Sequence, residues 1–231
     1  MHPPNGTMMA AKRNRAVLGT LNVVSGFGPE HKAFNLTTHA VCDLYRSCLG
    51  RLHTDGIRKV VVHLRDLSAP PGAQRTLVDV LFVEQRFDFT AYWSGDTYRR
   101  KEMVLEVLDQ TMQQLAVERG WDMVRIRDAM KGVLDRRIEN VQYWRRPKRN
   151  PSGRVQAQVL YTFDADAAKV FIVFTTRAGR ELQRDHVLTL PPVDYFLHDA
   201  LGTLRWEDER TVVLESRLGN ESWRSSLTAV T

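Results

Sequence analysis

Histidine and cysteine are the side chains most able to carry chemistry, and this 231-residue chain holds seven and two of them. His39 and Cys42 stand three apart, a spacing that places both on one helical face. Two ligands do not complete a metal site, and His31, His53 and His63 add none at a usable spacing. The second thiol, Cys48, falls on an apolar stripe, where it behaves as a small hydrophobe. No metal and no cofactor is therefore expected. A serine nucleophile needs a base and an orienting group near it in space. No Gly-x-Ser-x-Gly elbow occurs, and Asp185-His186 and His198-Asp199 are the adjacent pairs able to hold an imidazole in one tautomer. Adjacent residues of a strand point to opposite faces, which weakens the first pair. No catalytic residue is assigned.

Two short strings look like fragments of phosphate chemistry. Gly26-Phe27-Gly28 follows an apolar run, where a phosphate-binding loop would sit. Such loops carry more glycines and a helix that starts at once, so that its amides face the phosphate. Here Pro29 follows, and the next helix is expected about nine residues later from its Thr37 or Thr38 cap, so a structural turn is the expectation. His63-Leu64-Arg65-Asp66 resembles the kinase catalytic-loop triplet in letters only. It has no glycine-rich loop, strand lysine or metal-binding triplet to accompany it.

The charge is more informative. The net charge of the chain is +6. Between Lys131 and Arg154 there are eight basic residues and two acidic ones, so this window alone matches that net charge. Trp144, Arg145, Arg146, Lys148, Arg149 and Arg154 are its candidate partner-binding residues. Arginine forks engage carboxylates and phosphates in pairs of hydrogen bonds, and a neighbouring tryptophan offers a face for stacking. Such a cluster favours an acidic partner, whether protein or phosphate backbone.

The elements that must position these residues follow from period and punctuation. Ala16–Val24 reads as a buried strand. Val41, Leu44, Tyr45, Cys48, Leu49 and Leu52 make one apolar helical face, ended by Asp55-Gly56, and residues 57–64 form a second strand. Strand, helix, strand predicts two parallel strands. Residues 77–89 read as one long strand. A helix capped near Ser94 or Asp96 ends at Gly120, and Asp122 caps another whose stripe runs Ile126, Met130, Val133, Leu134, Ile138, Val141. After Pro147 the period changes from 3.6 to 2. Strands are expected over residues 155–163, 169–176 and 180–190, a short helix over 192–201, and a last pair near 211–216 and 222–227. Residues 144–153 read as a boundary or a projecting loop.

The fold class expected is α+β: an N-terminal strand-helix-strand unit, an αα corner and a C-terminal antiparallel sheet. Residues 1–15 read as a disordered leader, and 16–231 as a single α+β domain with a lobe boundary near 145–153. An apolar fraction of 43% and a charged fraction of 26% are ordinary globular values. The N-terminus has no apolar run, and no stretch approaches the roughly 18 apolar residues of a membrane span. With two thiols and no disulfide framework, a cytoplasmic protein is expected. Three function classes survive. The first is a non-catalytic protein-binding module, such as a bacterial inhibitor or immunity-type protein with an acidic partner. The second is a nucleic-acid-binding protein using the basic window, and the third is an enzyme with a scattered site.

Overall fold

The computed structural model describes residues 16–70 and 72–228, so the leader expected over residues 1–15 lies outside the described residues. The chain opens with β1 (Ala16–Val17), β2 (Thr20–Val24), a single 3₁₀ turn at Pro29–His31 and α1 (Lys32–Leu49). There follow β3 (His53–Thr54), β4 (Lys59–Asp66), β5 (Gln74–Leu77) and β6 (Val80–Phe87). Three helices come next: α2 (Phe89–Ser94), α3 (Thr97–Arg119) and α4 (Met123–Asp135). The C-terminal half holds β7 (Asn140–Arg149), β8 (Val155–Phe163), β9 (Ala168–Thr176), β10 (Glu181–Leu190), α5 (Asp194–Ala200), β11 (Thr203–Trp206), β12 (Thr211–Glu215) and β13 (Ser222–Ser226).

The first sheet has the order β2-β4-β6-β5. The crossover through α1 does leave β2 and β4 parallel; β6 runs parallel to β4, and β5 is antiparallel at the edge. Leu21 and Val23, Val60, Val62 and Leu64, and Leu81 and Val83 project to one face at the period of two that a half-covered strand requires. Helices α1 and α3 cover that face and α4 packs on both of them. Val41 and Leu44 are buried as expected from their shared stripe, Cys48 is half-buried against the same core, and Leu52 is buried although it lies past the end of α1. Asp96 and Asp122 cap α3 and α4, each accepting a hydrogen bond from the amide three residues on. Gly120 ends α3 in the left-handed conformation, at φ 68°, that an L side chain adopts at a cost.

Four local expectations are corrected. Helix α1 starts at Lys32, not after Thr37 or Thr38; Thr38 is buried inside it, its hydroxyl donating to the Val23 and Asn35 carbonyls at 2.7 and 2.9 Å. It also ends at Gly50 rather than at Asp55-Gly56. Residues 77–89 are not one strand, because the chain reverses at Val78-Asp79 to make the β5–β6 hairpin, with Val78 at φ 57°. Finally, α4 stops at Asp135. Arg137 and Ile138 take left-handed φ values of 53° and 55° and turn the chain into β7, which leaves Leu134 and Val141 largely exposed.

The C-terminal half is built from two antiparallel sheets, β10-β9-β8-β7 and β11-β12-β13, enclosing a second core. Alternate residues of β8 (Val155, Ala157, Val159, Tyr161, Phe163) and β9 (Ala168, Val170, Ile172, Phe174) face inward, as do Leu197 and Leu201 from the helix and Val212 and Leu214 from the facing sheet. Side chains close the sandwich at both edges. Trp206 Nε1 of β11 donates to the Lys148 carbonyl of β7 at 2.9 Å, while Gln183 and Asp185 of β10 hydrogen-bond Ser226 and Ser225 of β13. The two cores meet where α1 touches β7. Asn140, 4% exposed, donates from Nδ2 to the Ala40 carbonyl and to Asp43 at 3.2 and 3.0 Å, and Gln142 donates to the same carboxylate.

Candidate partner-binding surface

Four of the basic residues singled out from the sequence, Arg145, Arg146, Lys148 and Arg149, lie on the edge strand β7, and Arg154 lies in the turn that follows it. β7 pairs with β8 in register from Asn140 to Trp144, loses it, and regains it at Lys148. The interruption holds Arg145, Arg146 and Pro147, so the proline, which has no N–H to give a ladder, occupies a bulge rather than a paired position. Arg145 takes φ 58°, and its carbonyl accepts from Gln158 Nε2 of β8. The bulge thus pushes two guanidinium groups outward from a strand whose inner side is anchored in the core.

Beyond it the chain turns at Asn150, which is 6% exposed and satisfies its surroundings almost completely. Its backbone N–H donates to the Val155 carbonyl at 2.9 Å and its Oδ1 accepts from the Val155 amide at 3.1 Å. Its Nδ2 donates to the Glu209 carboxylate at 2.8 Å, which also accepts from Ser152 Oγ at 2.7 Å. This clasp places Arg149 and Arg154 on either side of one tight turn. Arg145, Arg146, Lys148, Arg149 and Arg154 are all exposed. Many arginines elsewhere, Arg65, Arg184 and Arg224 among them, sit on carboxylates. Among the described residues no ion pair is recorded for these five. A cavity of about 310 Å³ lies between the bulge and Gly202–Leu204 of the facing sheet.

Trp144 does not stand out as a stacking platform. Its ring is partly buried against the C-terminal core, the Arg145 guanidinium lies over it at 5.2 Å, and His198 meets it edge-on at 6.3 Å. Its Nε1 is buried and has no hydrogen-bond partner among the described residues. The tryptophan therefore braces the bulge from beneath.

The other residues weighed from the sequence are dispersed. Asp185 accepts from Ser225 and Gln183, whereas His186 turns to Thr189 and the Phe171 ring, so the pair points apart. His198 belongs to the Trp144 cluster. His39 and Cys42 border a small cleft of about 60 Å³, and no group of three or more metal-ligating side chains occurs among the described residues. His63, within β4, pairs with Val24 at the end of β2 across the parallel ladder, and its Nδ1 is 3.9 Å from Glu84. Burial holds this imidazole below its ordinary value near 6.5, and Arg65 and His31 act in the same direction. The Ser25 backbone and Glu84 pull the other way.

That shift has a consequence for stability. The folded chain resists the proton more than the unfolded chain, so stability is lost as pH falls below about 6.5 toward the lower native value. His63→Gln is expected to flatten this part of the profile while leaving stability above about pH 7 little changed, measured as Tm across that range.

His31, His63 and the Gly26-Phe27-Gly28 turn were weighed one by one in the sequence, but not their convergence with Ser25, because up to 38 positions separate them and the parallel pairing of β2 and β4 brings them together. The signal available was positional: Ser25 directly follows one buried strand and His63 stands in the second half of another. No protein-family model, no curated protein and no solved structure matches this chain.

Proposed function

We propose that the protein is a non-catalytic binding module that holds an acidic protein partner on the bulged end of β7. The observation that supports the reading is the concentration of five exposed cations, none in an ion pair among the described residues, on a strand and its following turn, fixed from behind by Trp144, Gln158 and Asn150. Positive charge held on a rigid backbone speeds encounter with a negative surface and selects against neutral or basic competitors. Arg145 and Arg146 line the cleft of about 310 Å³, and their guanidinium groups suit a carboxylate side chain. An inhibitor or immunity-type role, in which this face covers an acidic site of another protein, is the use such a module suits.

Nucleic acid is the second reading, since the same cations would neutralise phosphates. Against it stands the tryptophan. Single-strand binding relies on aromatic faces open to bases, and Trp144 is already covered by Arg145 and His198.

The test is an anisotropy titration of the full chain with a labelled polyglutamate peptide, duplex DNA and single-stranded DNA. The peptide is expected to bind, and neither DNA is expected to reach micromolar affinity at about 0.15 M salt, above the weak nonspecific level of any basic protein. Micromolar DNA binding at that salt with no binding of the peptide would overturn the proposal.

A further inference from the structure

A second feature, remote from β7, sits at the carboxyl ends of the parallel strands, which is where open α/β sheets receive ligands. A crevice of about 580 Å³ opens there between the loop after β2, the end of β4 and α2. The size suits a drug-sized molecule. Its walls are unusually aromatic. Phe34 and Phe89 meet edge-on at 5.3 Å, with Phe87 and Tyr92 packed behind them. Trp93, 47% exposed, stands at the rim, held by Arg100, which lies over its ring at 5.4 Å and donates to its carbonyl at 3.0 Å. Phe27, 72% exposed, stands at the other side, 6.1 Å from the His63 ring, and separates the crevice from a neighbouring cavity of about 360 Å³. Two exposed aromatic rings on one opening are costly to leave in water and offer apolar faces to a flat ligand.

The loop that presents this wall is rigid. Asn35 grips the Ser25–Gly26 peptide on both sides, accepting from the Ser25 amide at 2.9 Å and donating to the Gly26 carbonyl at 3.0 Å. The His31 imidazole lies directly on Gly26, where an added Cβ would come within 2.4 Å of the ring, and its Nδ1 is 3.0 Å from Ser25 Oγ. The site is thus preformed.

The polar end of the crevice carries donors. Arg65 uses Nη1 on Glu84 at 3.1 Å and leaves the rest of its five-donor fork turned to solvent. Asp66 is the carboxylate among the lining residues, and its Oδ1 is occupied by the Ser68 amide and hydroxyl at 3.0 and 2.9 Å. Glu84 is engaged by Arg65, and Asp66 keeps Oδ2 open to solvent, so the charged donor that the crevice offers a ligand is the Arg65 guanidinium.

We infer that this crevice binds a planar aromatic molecule bearing an anionic group, its ring between Phe27 and Trp93 and its carboxylate or phosphate on Arg65. The site is independent of the basic bulge and of any partner held there.

The full chain is titrated with 2-naphthoate, 2-naphthyl phosphate and the neutral 2-naphthylmethanol, followed by chemical-shift perturbation. At least one of the anions is expected to bind about tenfold or more tightly than the neutral compound, one bidentate charged contact being worth at least that factor. Whichever binds tighter identifies the source of the charge. Trp93→Ala and Phe27→Ala remove exposed rings, so the fold is kept, and each is expected to weaken the anion by about tenfold. Arg65→Gln is expected to bring anion and neutral compound to the same affinity. Equal binding of neutral and anionic compounds by the unaltered protein would overturn the inference. So would affinity indifferent to both aromatic variants, or the absence of any shift at millimolar ligand.

Discussion

Replacing Phe174 by alanine is expected to cost about 3–5 kcal/mol, the range for removing a fully buried phenylalanine. The ring lies on the inward face of β9, is 0% exposed, and meets Trp206 edge-on at 5.8 Å across the C-terminal core. It belongs to the inward-facing cluster to which both sheets contribute. Because Trp206 also donates to the Lys148 carbonyl, loss of Phe174 loosens the seam between β11 and β7 behind the basic bulge. Phe171, half-buried on the opposite face beside His186, is the control and is expected to cost much less on truncation. Urea unfolding followed by circular dichroism checks both. Similar losses for the two variants would show that the inward row has been assigned to the wrong face.

Tyr45→Phe carries the next largest effect, through a hydroxyl alone. Tyr45 is 0% exposed and donates to Asp109 Oδ1 at 2.9 Å, while Gln113 Nε2 donates to Oδ2 at 2.6 Å. The carboxylate is itself only 6% exposed, so the tyrosine supplies one of the few donors that make its burial tolerable. Burial and the adjacent Asp109 both push the Tyr45 phenol far above its usual range, so it stays a donor at every pH the fold survives. Removing it leaves a buried acceptor short of a partner, at a cost of about 1–3 kcal/mol. Tyr45→Phe combined with Asp109→Leu is expected to be less destabilised than the two single losses added together, because the double variant has no acceptor left unsatisfied. A strictly additive double variant would show that the two side chains do not depend on each other.

How far these arrangements were legible in the chain depended on whether a local signal competed with a tertiary one. The caps at Asp96 and Asp122, the left-handed Gly120 and the alternating rows of β8 and β9 are local devices, and the sequence reading placed them correctly. The start of α1 was misplaced because Thr38, a good cap by type, is buried and spends its hydroxyl on Val23 of the adjacent strand. The β5–β6 reversal was missed because its turn is Val78-Asp79 and carries no glycine, although Val78 has to adopt φ 57°. Strand β7 was hidden for a related reason. Ile138 and Val141 continue the helical spacing of α4, and nothing in the composition announces that Arg137 and Ile138 both turn left-handed. The charges of the window were therefore visible while their geometry was not. Reading residues 144–153 as a boundary or a projecting loop left out the bulge that makes Arg145 and Arg146 neighbours above an anchored tryptophan. The crevice at β2 and β4 was less legible still, since Ser25, His31, Arg65 and Trp93 converge only after the parallel sheet has formed.

The basic bulge is the central claim, and the most direct measurement is binding by a variant in which Arg145, Arg146, Lys148 and Arg149 are all changed to glutamine. All four side chains are exposed and unpaired among the described residues, so the variant is expected to keep the urea midpoint of the parent. Its association rate constant for labelled polyglutamate, followed by stopped-flow anisotropy at low salt, is expected to fall by about 10-fold to 1,000-fold, with little left of the parent's salt dependence. An unchanged rate constant in a folded quadruple variant would contradict the claim that this strand is where an acidic partner binds.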